Sequence, residues 1–148
     1  MSAPNDITSA IKKLHSISFN PLMKEVNSSE YISLKIISRL LKSNGDKGVK
    51  VSQITNELKI ASPSVTKLLN GLENKELIVR EMDKSNRRNT LVSITEKGVR
   101  VKEENDKILA DFIPKVYDRV GRENIIQFLQ LSELIHNAFD EEIENYNK

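Results

Sequence analysis

VSQITNELKIASPSVTKLLNGLENKELIVREMDKSNRRNTLVSITEKG, residues 51–98, holds two short amphipathic segments, a tight turn, two β-rich runs around a basic tip, and a restart of helical pattern. Ser52 is placed to cap the first helix, because a hydroxyl can accept from the orphan N–H groups of a first turn. Ile54 and Leu58 supply that helix's buried side. Lys59 to Ala61 form the turn. Ser62 repeats the N-cap signal, and Pro63 follows at the first helical position, where its fixed φ suits the helix and its missing N–H costs nothing. Val65, Leu68, Leu69 and Leu72 recur at helical spacing and predict one inward stripe. Ser62, Ser64, Thr66, Lys67, Asn70 and Asn74 are left facing outward. Short polar side chains of this kind fit a major groove and can hydrogen-bond base edges. An ordinary solvated helix face has the same composition, so this helix alone leaves both readings open.

The runs Leu77 to Met82 and Thr90 to Ile94 are rich in β-branched and apolar residues and flank Asp83, Lys84, Ser85, Asn86, Arg87, Arg88 and Asn89, which predicts a hairpin with cations at its tip. Arginines on a protruding loop reach phosphates or a narrow minor groove. Arg88 is expected to be the freer contact and Arg87 to be shared between wing structure and DNA, with the reverse order open. Asp83 is positioned to stiffen the tip through an ion pair with one of them. Lys84 adds a third wing cation, and Ser52 and Gln53 are candidate phosphate contacts near the start of the preceding helix. Helix, turn, helix and basic hairpin together are the plan of a winged helix-turn-helix: mainly α, with a small β-wing.

The run ASPSVTKLLNGLENKELIVRE followed by MDKSNRRNTLVSITEKG resembles the MarR family of bacterial winged-helix transcription regulators, in which a recognition helix precedes an Asp-x-x-Asp-Arg-Arg-like wing and a Leu-Thr-x-x-Gly-like return to helix. Two positions depart from that pattern. Asn86 stands where the family often has a second acid. Glu76 stands where it often has Gly after the recognition helix, and a left-handed backbone there would cost Glu on the order of 1 kcal/mol relative to Gly.

Composition narrows the function classes. The chain of 148 residues contains no cysteine, which excludes a disulfide framework, a thiolate zinc site and cysteine-based redox sensing. His15 and His136 lie far apart in no ligand-spaced motif, so neither a metal nor a cofactor is expected. No Gly-rich phosphate loop or nucleophile elbow occurs, and the acidic tail reads as solvated helix faces, so an enzyme is not expected. No secretion signal is apparent and no apolar run approaches about 18 residues, which predicts a soluble cytoplasmic protein.

The net charge of +2 says little, but its distribution is informative. Residues 47–102 hold 12 Lys and Arg against 6 Asp and Glu, a local +6, whereas residues 103–148 hold 5 against 11, a local −6. Positive charge is concentrated on the winged-helix segment, as phosphate neutralisation requires, and the acidic end should point away from DNA.

The flanks read as helices. Ile7, Ile11, Leu14 and Ser18 trace a stripe that ends at Asn20-Pro21. Asn27 with Glu30 forms a capping box for a helix expected to bury Ile32, Ile36, Ile37, Leu40 and Leu41, which stops at Ser43-Asn44-Gly45-Asp46. Val49 and Val51 are placed to add a short third strand to the wing. Thr95 caps the return to helix, Pro114 predicts a kink or break within it, and Gly121 marks a turn. The last segment has more apolar positions than one helix face needs, including Phe128, Leu131, Leu134 and Phe139. A second copy of the chain is the simplest cover, against a monomeric bundle as the alternative. The expected organisation is an N-terminal dimerisation helix over 1–24, a DNA-binding domain over 25–98, and C-terminal dimerisation helices over 99–148.

Together these features predict a dimeric, sequence-specific transcription regulator, a repressor in the preferred reading. Ser62, Ser64, Thr66, Lys67 and Asn70 would enter the major groove of double-stranded DNA, and Lys84, Arg87 and Arg88 would make wing contacts on a pseudo-palindromic operator. The resemblance implies a small aromatic or anionic effector between the dimerisation helices and the winged helix, for which His15, Phe19, Tyr31, Phe112 and Tyr117 are candidates by placement, with core packing as the alternative for each. A protein-interaction module or an RNA-binding winged helix are the rival classes.

Overall fold

The computed structural model describes residues 3–45 and 47–147, with side chains from Ile7 onward, so Asp46 of the expected helix stop lies outside the described residues. Helix α1 (Ala3–His15) is followed by a single 3-10 turn (Asn20–Leu22), α2 (Ser28–Ser43), strand β1 (Val49–Lys50), α3 (Val51–Leu58), α4 (Ser62–Asn74), β2 (Ile78–Met82), β3 (Thr90–Ile94), α5 (Glu96–Val120) and α6 (Arg122–Tyr146). These elements form two compact units, residues 1–108 and 109–148.

In the first unit the three strands lie antiparallel in the order β1-β3-β2. Val49 pairs with Val92, and Arg80 pairs with Val92 from the other side. Val51, expected to extend β1, starts α3 instead. The core is built from Leu34, Ile37, Ile54, Val65, Leu69, Leu72, Leu77, Ile78, Val92 and Val101, all essentially inaccessible to solvent. Leu58 and Leu68 are half-buried at its edge.

On α2 the inward stripe runs through Tyr31, Leu34, Ile37 and Leu41. Ile32, expected on that face, is 49% exposed, because each residue advances about 100° around a helix and Ile32 is turned off the Tyr31 line. The capping box forms as read: Glu30 N donates to Asn27 Oδ1 (2.9 Å), and Asn27 N donates to Glu30 Oε2 (2.8 Å). Lys75 Nζ donates to the same Glu30 oxygen at 2.7 Å, joining the start of α2 to the end of α4.

Two helix starts differ from the sequence reading. Lys50 occupies the cap position of α3, and Gln53 rather than Ser52 satisfies the exposed backbone: its Oε1 accepts from Lys50 N at 3.0 Å. The hydrogen-bond ladder of α4 begins at Ala61, whose carbonyl accepts from Ser64 N (2.9 Å) and Val65 N (3.2 Å), so Ser62 is already helical and Pro63 follows within the first turn. Side-chain preference alone does not fix a helix start, and the backbone ladder sets the caps two residues before Ser52 and one before Ser62.

The end of α4 is a Schellman cap. Leu77 N donates to Leu72 O (3.0 Å) and Glu76 N to Glu73 O (2.8 Å), with Glu76 itself left-handed at φ 60. Glu76 thus occupies a conformation that Gly adopts without a Cβ penalty. Glu76→Gly is expected to stabilise the fold by up to about 1 kcal/mol, roughly 2–4 °C in melting temperature at this chain length. A thermal melt that shows no gain would mean the helix end relaxes around Glu.

Thr95 caps α5, with Gly98 N donating to its Oγ1 at 2.9 Å, and the same hydroxyl donates to Glu76 O at 2.7 Å. Helix α5 continues through Pro114 with no break. A proline removes one ladder bond at a cost of about 3 kcal/mol, and the intact turns on either side outlast it. The second unit comprises the end of α5 and all of α6. On α6, Ile126, Phe128, Leu129, Leu131, Leu134, Ile135, Phe139 and Ile143 are each 45–65% exposed.

Candidate nucleic-acid interface

The apolar stripe of α4 fixes which side faces out. With Val65, Leu69 and Leu72 buried, Ser62, Ser64, Thr66, Lys67 and Asn70 form a continuous exposed face. Thr66 Oγ1 bonds back to Ser62 O at 3.1 Å, which leaves its methyl and hydroxyl lone pairs at the surface. Asn70 is tied to the wing: Arg80 Nη2 on β2 donates to Asn70 Oδ1 at 2.7 Å, while Arg80 Nε donates to Glu73 Oε2 at 3.0 Å. The hydrogen bond from Arg80 holds the Glu73 carboxyl below the usual glutamate range, so it stays ionised beside its cation.

The wing tip is ordered by its own polar groups. Asp83 N donates to Asn89 O (3.0 Å) and Asn89 N to Asn86 O (2.8 Å). Ser85 donates to Asp83 Oδ1 through both its backbone N (2.8 Å) and its Oγ (2.6 Å), and Arg88 N donates to Asn86 Oδ1 at 3.2 Å. The ion pair expected between Asp83 and a neighbouring arginine therefore does not form. Asp83 spends its acceptor on Ser85, whose hydroxyl holds the carboxyl below its ordinary value. Asn86, which replaces an acid in the family pattern, turns the loop by accepting from the backbone. Lys84, Arg87 and Arg88 are exposed, and among the described residues none makes an ion pair.

A concavity of about 400 Å³ opens between the start of α3, the outer face of α4 and the wing, lined by Lys50, Ser52, Thr66, Arg80 and Arg88 among others. It brings together three residues picked from the sequence, Ser52, Thr66 and Arg88, with two that were not, Lys50 and Arg80. Gln53 is only half-exposed, and its Oε1 is occupied by Lys50 N and by Asn44 Nδ2 at 3.3 Å. Arg80 was legible in principle. It shares the inward face of β2 with Ile78, and a cation at an inward strand position requires an acceptor.

The effector candidates fall in both units. In the first, Tyr31 is buried and its hydroxyl donates to Asp106 Oδ1 at 2.6 Å, while Lys102 Nζ donates to Asp106 Oδ2 at 2.7 Å. Burial and the Asp106 carboxylate push the phenol well above its ordinary pKa. His15 is exposed at the end of α1 and Phe19 is half-buried before the 3-10 turn. In the second, Phe112 is half-buried and Tyr117 exposed on α5. Among the described residues no cluster of three or more His, Asp or Glu is placed to hold a metal ion, and no helix is long and apolar enough to cross a membrane.

A helix pair, a capped return helix and a three-stranded basic wing define a winged helix-turn-helix protein. Residues 33–90 match the MarR family. It is 36% identical over 74 residues to the HTH-type transcriptional regulator MhqR of Bacillus subtilis, a stretch covering 50% of this chain and 47% of MhqR, so the chain spans about half the length of that relative. Its fold is similar to that of the PcaV transcriptional regulator of Streptomyces coelicolor in complex with its natural ligand (TM-score 0.71, 16% identity, 93% of this chain and 94% of that one). It is also similar to S. aureus MepR in a DNA complex (TM-score 0.62, 21% identity, 77% and 80% coverage).

Proposed function

We propose that the protein is a sequence-specific double-stranded DNA-binding transcription regulator, acting as a homodimeric repressor on a pseudo-palindromic operator. The observation that carries this reading is the shared concavity: Thr66 on the helix face and Arg88 on the wing border one space, with a further cation at Lys50. Ser62, Ser64, Thr66, Lys67 and Asn70 read bases, Lys84, Arg87 and Arg88 hold phosphate or minor groove, and Ser52 touches phosphate. Residues 25–98 serve as the DNA-reading domain, and 1–24 with 99–148 as the dimerisation region. The exposed apolar side of α6 supports a second copy as its cover. MhqR is a transcriptional regulator and MepR was captured on DNA, which agrees with this role. PcaV was captured with its natural ligand, which agrees with release of DNA by a small aromatic or anionic effector.

Selection of bound sequences from random duplex DNA tests the proposal. A palindromic motif with half-sites about one helical turn apart is expected, and recovery of no motif at all would overturn it. Within that assay system, Arg88→Ala is expected to weaken binding to every sequence and to reduce the slope of log affinity against log salt by about 1, because one fewer phosphate is neutralised. An unchanged slope would remove Arg88 from the backbone contacts.

A further inference from the structure

The Arg80 contact to Asn70 bears on which base the recognition helix reads. A guanidinium carries donors only, so the Asn70 atom facing Arg80 Nη2 at 2.7 Å is necessarily the carbonyl Oδ1. The amide of Asn70 is exposed on the outer face of α4, and its orientation is thereby fixed from behind by a residue on the wing strand. Glu73, one turn further along α4, holds the guanidinium through Nε at 3.0 Å and through Nη2, so the cation itself has little freedom.

An unconstrained asparagine reads adenine by a bidentate pair, accepting from N6 and donating to N7. Here one Oδ1 lone pair is occupied and the other sits beside a full positive charge, where an adenine amino group would bring its own positive hydrogen. The Nδ2 end carries no such conflict and presents donors alone. The base edge that fits donors alone is guanine, with acceptors at both N7 and O6.

We propose that Arg80 is a positioning residue for specificity, holding Asn70 as a donor-only reader so that its operator position favours guanine over adenine. The proposal rests on the DNA-binding reading above and refines it. Neither Arg80 nor Glu73 is required to touch a base.

Three proteins compared by selection from random duplex DNA test it: wild type, Asn70→Ala, and the charge-neutral pair Arg80→Met/Glu73→Gln. Asn70→Ala flattens one position per half-site, which identifies the base that Asn70 reads. Wild type is expected to favour guanine there over adenine by about tenfold, the scale of one good base contact. In Arg80→Met/Glu73→Gln that preference is expected to fall at least about fivefold, with adenine gaining and the remaining positions unchanged, since freeing Oδ1 restores the bidentate adenine contact. Arg80→Lys, which keeps a cationic donor beside Oδ1, is expected to retain guanine. Adenine at the wild-type position, or an Asn70→Ala motif identical to wild type, overturns the proposal even if the double variant does not fold. A guanine preference that survives Arg80→Met/Glu73→Gln within about twofold also overturns it. A wild-type protein that selects no motif would instead overturn the DNA-binding reading beneath it.

Discussion

Asn105→Ala is expected to destabilise the fold by about 3 kcal/mol, lowering the melting temperature by roughly 6–12 °C for a chain of this size. Asn105 is fully buried in α5, yet it is polar. Its Oδ1 accepts from Lys24 N at 2.9 Å, and its Nδ2 donates to Lys24 O at 3.1 Å and to Val101 O at 2.8 Å. One amide therefore satisfies both backbone groups of Lys24, in the loop that leads to α2. Truncation leaves the Lys24 N–H and C=O without these partners in a part-buried site and empties the space of a buried amide; an unpaired group costs about 1–3 kcal/mol where water does not reach it. The exposed Lys24–Glu104 ion pair beside it contributes little in comparison. Asn105→Leu helps separate the causes, because it keeps the number and branching of side-chain heavy atoms while removing the hydrogen bonds. Thermal melts in which Asn105→Leu matches wild type would show that packing, not the Lys24 pairing, holds this loop.

Asn105 also shows where sequence reading stops. Local signals gave the element order: the Asn27/Glu30 capping box, the Thr95 cap and the hairpin between Met82 and Thr90 all involve partners within a few residues. Periodicity likewise located the buried stripe of α4, because one apolar face fixes the other. Asn105 meets Lys24 across 81 positions, and no local pattern distinguishes it from a solvated polar residue. The same applies at the interface. Thr66 and Arg88 were legible as outward polar and cationic groups, whereas Arg80 gains its significance from Asn70 and Glu73 on another element. Asp83 failed for a related reason: a carboxylate beside two arginines suggests an ion pair by charge, but Ser85 is nearer along the turn and offers two donors in better geometry.

The return to helix at Gly98 is where the wing and α5 depend on one another most directly, and Gly98→Ala is expected to cost about 3 kcal/mol or more. A Cβ at Gly98 would lie 2.1 Å from Leu77 O and 2.7 Å from Ile94 Cγ1. The first of these is a backbone atom that already accepts from Thr95 N at 3.1 Å and precedes β2, so it has no rotamer by which to withdraw. Overpacking of a closed site costs about 1–3 kcal/mol where side chains can shift, and a backbone obstruction belongs at or beyond the upper end of that range. Relief requires moving Leu77, which is buried at the foot of the wing, so the arginine tip should be displaced as well as the core loosened. DNA affinity is accordingly expected to fall at temperatures where the variant is still folded. Gly45→Ala supplies the contrast: Gly45 has φ +63 but no atom within 4 Å of the added Cβ, so only the left-handed penalty of about 1 kcal/mol applies. Gly98 lies inside α5 without a left-handed φ, so equal losses of melting temperature in the two variants would count against the close approach as the source of a larger cost. A clearly larger loss at Gly98 identifies close approach of α5 to the wing strand as the reason a glycine stands there.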